Sequence, residues 1–539
     1  MANKNIRTLS ARKGIKDNLF ENIAKLSHKS SSEAEYHKLA QRFILDDSVI
    51  FATRSFYDFL KPENLHKKVH VCNGTACMVS DSQEALKNRL RVHFKEDEIG
   101  TAACLGHCHT NAAFMYDDKT YSSKGPLTLE DIIKFKKPKY NSYKIGFNST
   151  SILTFNTEDY TKIYPILDPY KAEKHFILEN IKQSGLRGRG GAGFPFWIKL
   201  DTVAKEKSSQ KYIVCNADEG DPGAFSDMYL MEHQPHKVLF GMMTAGYYVG
   251  ADTGVLYIRG EYPDSIRKIA EAIEQLKKKR LLNGFKFKII RGQGSYVCGE
   301  ETALLNSIEG LRPEVRVRPP YPAQYGLYGK PTVLSNVETF ANIYWILQRS
   351  GSAFAMLGTK KSKGTKLVCL DSFFNSPGLY EIEMGTPLKT VFNDYGKGFK
   401  KPVKAVQIGG PLGGIVPLHK VKDLTLDFES FSENGFLLGH ASVVSIPEEF
   451  PMIKYLEHLL EFTADESCGK CYPCRIGAHR GYEMLKKAQN SKYKIDRQLF
   501  DDLIETLEIG SLCALGGGVP LPVKNALQYF KEELKGYFK

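Results

Sequence analysis

Apolar positions change period several times along the chain, and each change predicts an element. Residues 172–183 repeat with helical spacing, and Lys211-Tyr-Ile-Val-Cys215 follows as a short apolar strand. A second helical pattern, Ser265 to Leu276, lies between strand-like segments Val255 to Ile258 and Phe285 to Ile290. Strands alternating with helices in this way predict a parallel α/β core. Nearer the start, Val69-His70-Val71 reads as a strand running into Cys72, and a strand-like stretch ends in Gly100-Thr-Ala-Ala before Cys104. Further on, Leu367-Val-Cys-Leu, the Asn375-Ser-Pro-Gly-Leu-Tyr-Glu stretch and Gly409-Gly-Pro-Leu-Gly-Gly414 predict a small β-rich module. Three helical patterns, Pro451 to Thr463, Arg475 to Lys487 and Arg497 to Leu507, predict a C-terminal bundle. The most apolar run, around Leu239 to Val249, falls short of the roughly 18–20 residues a membrane helix needs, so no direct membrane span is expected.

Composition adds limits. The 539 residues are 42% hydrophobic and 25% charged, with 46 Gly and 24 Pro, which excludes collagen-like, coiled-coil and disordered classes. At about 150 residues per domain, three or four domains are expected. A net charge of +13 could mean an anionic partner, but the 74 basic residues are interleaved with 61 acidic ones and no groove-reading motif accompanies them. No nucleic-acid partner is expected. One dense basic run, Lys136-Lys137-Pro-Lys139, opens a Lys/Pro/Asn/Ser-rich linker at 136–150; the other, Lys277-Lys278-Lys279-Arg280, suits a helix C-terminus. The basic N-terminus leads into no apolar segment, and the early acids Asp17 and Glu21 are unlike a transit peptide, so a cytoplasmic location is expected.

Cysteine spacing changes the picture most. Four of the eleven cysteines form Cys72-x4-Cys77 and Cys104-x3-Cys108; four more form Cys468-x2-Cys471-x2-Cys474 with a distant Cys513. In a reducing compartment such clusters are metal ligands or redox groups rather than disulfides. Three thiolates in a tight loop plus a remote fourth suit a cube-shaped [4Fe-4S] cluster, and are one thiolate too many for a zinc knuckle. The first quartet suits a planar [2Fe-2S] cluster held by two loops at one end of a small sheet, with zinc or an inert thiol set together an equal alternative on spacing alone. Cys215 and Cys298 sit in apolar strand-end settings and read as small core residues. His440, in Leu-Gly-His-Ala-Ser, reads as structural.

Two loops carry candidate binding chemistry. Gly185-Leu-Arg-Gly-Arg-Gly-Gly-Ala-Gly-Phe-Pro195 lets backbone N–H groups approach a phosphate or a flat ring, with Arg187 and Arg189 supplying charge. Asn216-Ala-Asp-Glu-Gly-Asp-Pro-Gly223 follows a strand, where open α/β sheets bind ligands; a helix cap and turn would use the same residues. Glu300 and Glu301 would fall in a first helical turn, where negative charge is favoured in any case.

Gly188-Arg-Gly-Gly-Ala-Gly-Phe-Pro195, Asn216–Gly223, Gly299-Glu-Glu-Thr-Ala-Leu304, Pro319-Pro-Tyr-Pro322, Asn336-Val-Glu-Thr-Phe340 and Glu466-Ser-Cys-Gly-Lys-Cys-Tyr-Pro-Cys-Arg475 occur in one order from about Gly185 to Cys513. Together they resemble the flavin-containing, NADH-binding 51 kDa-type subunit of respiratory complex I, and still more its relatives in NAD-linked formate dehydrogenases and hydrogenases. The Cys72, Cys77, Cys104, Cys108 pattern resembles the thioredoxin-like [2Fe-2S] subunit of the 24 kDa type, here fused in front.

The resemblance implies FMN, [4Fe-4S] and [2Fe-2S] as cofactors and NAD(H) as substrate. It implies that Gly188, Arg189, Gly190 and Lys199 face the FMN phosphate and ring. Asn216, Asp218 and Glu219 would lie near ribityl and isoalloxazine, with Tyr296, Gly299, Ser335 and Asn336 completing the pocket. For the nucleotide, Phe194 would stack, Glu301 (beside Glu300) and Asp221 would accept from ribose or carboxamide, and Arg318 and Tyr321 would close the site. Cys72, Cys77, Cys104 and Cys108 would hold one cluster; Cys468, Cys471, Cys474 and Cys513 the other. No catalytic side chain is implied, because hydride passes directly between the cofactors. Asp221, Arg318, Ser335 and Met228 stand where the family usually has Glu, Lys, Asn and Arg.

The expected architecture is a multidomain α/β protein. Residues 1–140 would be a helical lead-in plus thioredoxin-like domain, 151–350 a Rossmann-like FMN and NADH domain, 351–437 a small ubiquitin-like β-rich domain, and 438–539 a helical [4Fe-4S] domain. The expected function is an NAD(H)-linked diaphorase subunit within a formate dehydrogenase or hydrogenase complex, partnered by its iron–sulfur and catalytic subunits. The rival readings are an electron-relay scaffold without nucleotide turnover and a zinc-containing nucleic-acid binder.

Overall fold

A computed structural model of the chain describes residues 14–125, 127–134, 143–156 and 159–539. The basic run at 136–139 and the start of the expected linker lie outside them. Three sheets organise the molecule. The first has order β2-β1-β3-β4 and comprises β1 (Val69–Cys72), β2 (Ile99–Ala102), β3 (Ala113–Tyr116) and β4 (Lys119–Ser122). Strands β1 and β2 run parallel, with Cys72 opposite Ala102, so the loops that follow them leave the same end of the sheet.

The second sheet is all parallel, in order β8-β7-β6-β9: β6 (Tyr212–Ala217), β7 (Thr253–Ile258), β8 (Lys286–Arg291) and β9 (Thr332–Asn336). This is the half-Rossmann order, in which the chain reverses direction across the sheet between β6 and β9. Alternating side chains sort to the two faces. Ile213, Cys215, Leu256 and Ile258 join the core that includes helix Pro235–Val249, whereas Val214, Val255, Tyr257 and Ile290 face the other way.

That other face is covered by the helical lead-in, Leu19–His28, Glu33–Phe43 and Asp47–Arg54, through Phe20, Ile23, Leu39, Phe43 and Ile50. Polar bonds fix it there: Tyr57 OH to Ser307 Oγ at 2.7 Å, Thr53 Oγ1 to the Gly310 carbonyl at 3.1 Å, and Lys288 Nζ to Glu21 Oε2 at 2.6 Å. The lead-in therefore packs on the second sheet. A parallel sheet needs both faces buried, and these helices supply the second cover.

The third sheet has order β13-β12-β14-β10-β11-β5. It joins β10 (Thr365–Leu370), β11 (Gly378–Glu383), β12 (Val403–Ile408) and β13 (Ile415–Pro417) to two strands from outside 351–437, β5 (Lys144–Phe147) and β14 (Ser442–Pro447). Two expectations are corrected by this. Part of the predicted linker is an edge strand, and the boundary at 437 divides a sheet whose central strand is β14. The cause is long-range pairing: β5 runs parallel to β11, and β14 lies between β10 and β12.

Buried charge binds these units. The Glu381 carboxylate accepts the N–H groups of Ile152, Leu153 and Thr154 at 2.8–3.1 Å, while Lys237 Nζ donates to the carbonyls of Leu153 and Phe155 at 3.0 and 2.8 Å. Lys366 on β10 forms a fully buried ion pair with Glu338 of helix Val337–Arg349, and Glu338 also accepts the Leu367 N–H at 3.1 Å. After β14 the chain forms the expected bundle, including Met452–Asp465, His479–Asn490 and Arg497–Gly510. Removing one member of a buried pair strands the other, so Lys366→Met is expected to cost about 3–5 kcal/mol in urea unfolding, and Lys366→Met with Glu338→Leu to recover most of it.

Candidate functional site

The crevice between β6 and β9, outside their C-terminal ends, is where a doubly wound sheet binds ligands. Asn216 and Asn336 lie opposite one another at this point. Asn336 caps helix Val337–Arg349, its Oδ1 accepting the Thr339 N–H at 3.0 Å. The glycine loop closes over it. Arg187 pairs with Pro195 as an isolated bridge, the Gly188 N–H reaches the Phe194 carbonyl at 2.8 Å, and the Arg189 N–H donates to Thr339 Oγ1 at 2.9 Å. A Cβ on Gly190 would sit 3.2 Å from Asn336 Cβ, so the loop reaches the capping residue only because no side chain intervenes.

From the opposite side, Asn216 Nδ2 donates to the Gly299 carbonyl at 2.7 Å, and Asn216 Oδ1 accepts the Asp218 N–H at 3.1 Å. Lys199, on helix Phe196–Lys205, reaches Glu301 Oε2 at 3.2 Å and the Leu334 carbonyl at 3.1 Å. Arg318 Nη1 meets Glu301 Oε1 at 2.8 Å, so Lys199, Glu301 and Arg318 form one charged chain along the rim. Glu300 is instead the cap of helix Glu301–Ile308, accepting the Thr302 and Ala303 N–H groups at 2.8 Å each. Phe194 and Tyr321 are exposed, at 46% and 55%, as aromatic stacking residues at an open mouth would be. Ser335 is buried at the end of β9.

Glu219 departs from its expected place. Its carboxylate caps helix Ser226–His233, accepting the Asp227 and Met228 N–H groups at 2.9 and 3.0 Å, together with Ser226 Oγ and Tyr262 OH at 3.2 Å each. Two bare helix-end N–H groups, with two hydroxyls beside them, attract a carboxylate more strongly than an open pocket does.

The pocket wall is continuous with both cysteine quartets. On one side Tyr296 OH donates to Asp221 Oδ1 at 2.7 Å, and the Tyr296 N–H donates to Glu466 Oε2 at 2.7 Å. Val297, Ala303 and Val315 pack directly on Cys468, Cys474 and Leu515, with Cys471 and Cys513 at the edge of the same cluster. On the other side the Gly223 N–H points at Cys108 Sγ, 3.2 Å away, and Arg259 bridges the Glu219 carbonyl at 2.5 Å to the Cys104 carbonyl at 2.7 Å. Gly223 has φ of +98° and no room for a side chain, since a Cβ would lie 2.8 Å from Val444.

The residues fit the expected groups. Asp218 Oδ2, Asn336 Nδ2, and Arg189 Nε and Nη1 are buried without hydrogen-bond partners among the described residues, a mixture of donors and acceptors suited to a polar ring and a phosphate. Burial pushes the Asp218 carboxyl well above the usual range and lowers Arg189 to about 10, which leaves Arg189 cationic at neutral pH. Cys72, Cys77, Cys104 and Cys108 are all buried, with Cys72 in contact with both Cys77 and Cys104. Cys104 and Cys108 Sγ lie 3.7 Å apart, the separation of two thiolates on one tetrahedral metal with bonds of about 2.3 Å.

Sequence reasoning missed Arg259, Tyr262, Glu466 and Asp227, which position the acidic loop rather than line the pocket. Arg259 immediately follows β7 and was detectable by the strand-tip argument already used for Asn216.

Comparisons with known proteins agree with this layout. Residues 181–345 match the family described as the Nuo51 FMN-binding domain, 454–537 the NADH-ubiquinone oxidoreductase-F iron-sulfur binding region, and 20–137 the thioredoxin-like [2Fe-2S] ferredoxin. The chain is 42% identical to the NADP-reducing hydrogenase subunit HndC of Solidesulfovibrio fructosivorans over 372 residues, 67% of this chain and 76% of the relative. It is 37% identical over 380 residues to the mitochondrial NADH dehydrogenase [ubiquinone] flavoprotein 1 of Dictyostelium discoideum, covering 68% of this chain and 79% of that one. Its fold superposes on a chain of the NAD+-reducing [NiFe]-hydrogenase in the air-oxidized state with a TM-score of 0.85 and 27% identity, covering 97% of this chain and 93% of the other. The cofactors are thus FMN, [4Fe-4S] and [2Fe-2S], and zinc falls away.

Gly190→Leu places a branched side chain against Asn336, where the glycine loop meets the crevice. It is expected to abolish FMN retention, read from flavin absorbance after gel filtration, while circular dichroism and the iron content of both clusters persist.

Proposed function

Because the chain belongs to the Nuo51 family of FMN-binding NADH dehydrogenase subunits, we propose that it is the NAD(H)-handling module of a hydrogenase-type redox complex. The observation that carries this reading is the acidic loop Asn216–Gly223, which contacts the FMN cradle through Asn216 and Asp218 and reaches toward both quartets through Asp221 and Gly223. A hydrogenase catalytic subunit is the favoured partner because HndC and the superposing chain both come from hydrogenases, the second aligned over almost the whole chain. Formate dehydrogenase and electron-bifurcating ferredoxin partners are the alternative couplings. Among the described residues no helix is long and apolar enough to cross a membrane; the cytoplasm is the proposed location.

FMN, when bound, supplies the chemistry that takes a hydride from NADH and hands on its electrons singly to iron–sulfur centres. This chain's residues bind and orient. In the proposed roles, Gly188, Gly190 and Arg189 hold the phosphate end, and Asn216, Asp218, Gly299, Ser335 and Asn336 fix the ring. Phe194 and Tyr321 stack on the nucleotide, and the linked charges of Lys199, Glu301 and Arg318 orient its ribose hydroxyls. Tyr296 and Asp221 separate the pocket from the [4Fe-4S] ligands Cys468, Cys471, Cys474 and Cys513. The proposed division of the chain follows the three sheets and the bundle, with the lead-in counted with the FMN unit.

Anaerobically purified protein is expected to carry one FMN per chain that NADH bleaches fully. Cys474→Ser is expected to remove the [4Fe-4S] electron paramagnetic resonance signal and leave the bleaching intact, because hydride arrives before electrons leave. Bound flavin that stays oxidised in excess NADH would favour the electron-relay reading instead. Subunits that co-purify with the chain identify the catalytic partner.

A further inference from the structure

Among the described residues, a buried group of titratable side chains gathers around His440. His440 lies on the turn before β14, is 5% exposed, and has no hydrogen-bond partner at either ring nitrogen among the described residues. Its Nε2 lies 3.6 Å from Glu219 Oε1 and 3.6 Å from Asp227 Oδ2, and Asp227 Oδ1 is likewise unbonded. The group lies directly behind the flavin cradle: a Cβ on Gly191 of the glycine loop would come within 4.0 Å of the His440 backbone nitrogen, and Glu219 belongs to the acidic loop itself.

Other charges face this group from each neighbouring element. Lys366 of β10 is paired with Glu338 of helix Val337–Arg349. Arg259, after β7, is paired with Glu261 at 2.8 Å, and Tyr262 donates to Glu219. Cys369 of β10 is a neutral buried thiol, raised by burial and by Glu219. Asp221 is raised by burial and held down by His440. With the other two cations paired, His440 stands against three acids: Asp227, Glu219 and Asp221.

We propose that Glu219, Asp227 and His440 form the proton-accepting site of the flavin centre. The proposal rests on the functional reading above. Each NADH yields NAD+, two electrons and one proton; the electrons pass singly to the clusters, and the proton goes to this site and then to solvent. Burial opposes charge on His440, but Asp227 and Glu219 raise it to about 9, so it is cationic at neutral pH. Burial and Asp227 raise Glu219 to about 7, with His440 pulling the other way. Glu219 therefore exchanges the proton, while His440 and Asp227 are positioning residues that set where it titrates. An imidazole with two carboxylates is also a donor set for a divalent cation, but a backbone N–H is fixed on each Glu219 oxygen, whereas the Ser226 and Tyr262 hydroxyls can turn to accept from a protonated Glu219.

The test is the midpoint potential of the bound flavin against pH in the holoprotein. Wild type is expected to show a change of slope near neutrality. In His440→Gln the cation that holds Glu219 down is gone, and the break is expected to move up by roughly 1–3 pH units; His440→Lys, which keeps the charge, is expected to restore it. A break at the same pH in wild type and His440→Gln, with FMN bound and bleached by NADH, overturns this proposal alone. A wild-type protein without flavin overturns it together with the functional reading. Should His440→Gln fail to retain FMN, redox-difference infrared spectra of wild type decide: a protonated-carboxyl band that changes with flavin redox state and is lost in Glu219→Gln supports the site, and its absence refutes it. An equimolar divalent metal that disappears in His440→Gln also refutes it.

Discussion

A loop rich in carboxylates has been buried between a strand and a helix, and the rest of the molecule is arranged to satisfy it. Buried acids must find donors or neutralise. Each acid of Asn216–Gly223 answers this differently. Asp221 takes the Tyr296 hydroxyl, Glu219 takes a helix N-terminus, and Asp218 is left a raised carboxyl with one oxygen unbonded. Because those donors come from separate units, satisfying the loop also places the cysteine quartets. Tyr296 carries the contact to the Glu466–Cys474 segment, and Gly223 and Arg259 carry it to Cys108 and Cys104.

This arrangement explains why several cofactors share one chain. A hydride brings two electrons at once and an iron–sulfur cluster takes one, so the site that accepts the pair must lie beside the site that divides it. A rigid wall between them keeps that separation fixed. The wall is apolar toward Cys468 and Cys474, through Val297, Ala303 and Val315, and hydrogen-bonded toward Cys108. The lead-in helices serve the same end indirectly. By burying Val214, Tyr257 and Ile290 they stabilise the sheet whose strand ends carry the loop.

Much of this was legible in the sequence where the information is local. Cysteine spacing predicted two clusters, and the structure brings Cys104 and Cys108 to 3.7 Å. Glycine spacing and the polar tip of β6 marked two loops that the structure brings to the crevice between β6 and β9, since a strand end and a tight turn are set by neighbouring residues. What depends on distant pairing was not legible. The segment at 144–147 looks like linker because its partner, β11, lies more than two hundred residues away. The pull of the bare end of helix Ser226–His233 on the Glu219 carboxylate cannot be weighed without the fold. The acidic neighbours of His440 were out of sight for the same reason, since both come from another part of the chain.

The central claim is that one loop keeps the hydride-accepting site in contact with both clusters. Freeze-quench electron paramagnetic resonance of the anaerobic holoprotein after mixing with NADH tests it most directly. The signals of both the [4Fe-4S] and the [2Fe-2S] clusters are predicted to grow as the flavin bleaches. Complete bleaching with neither cluster signal developing would contradict the account.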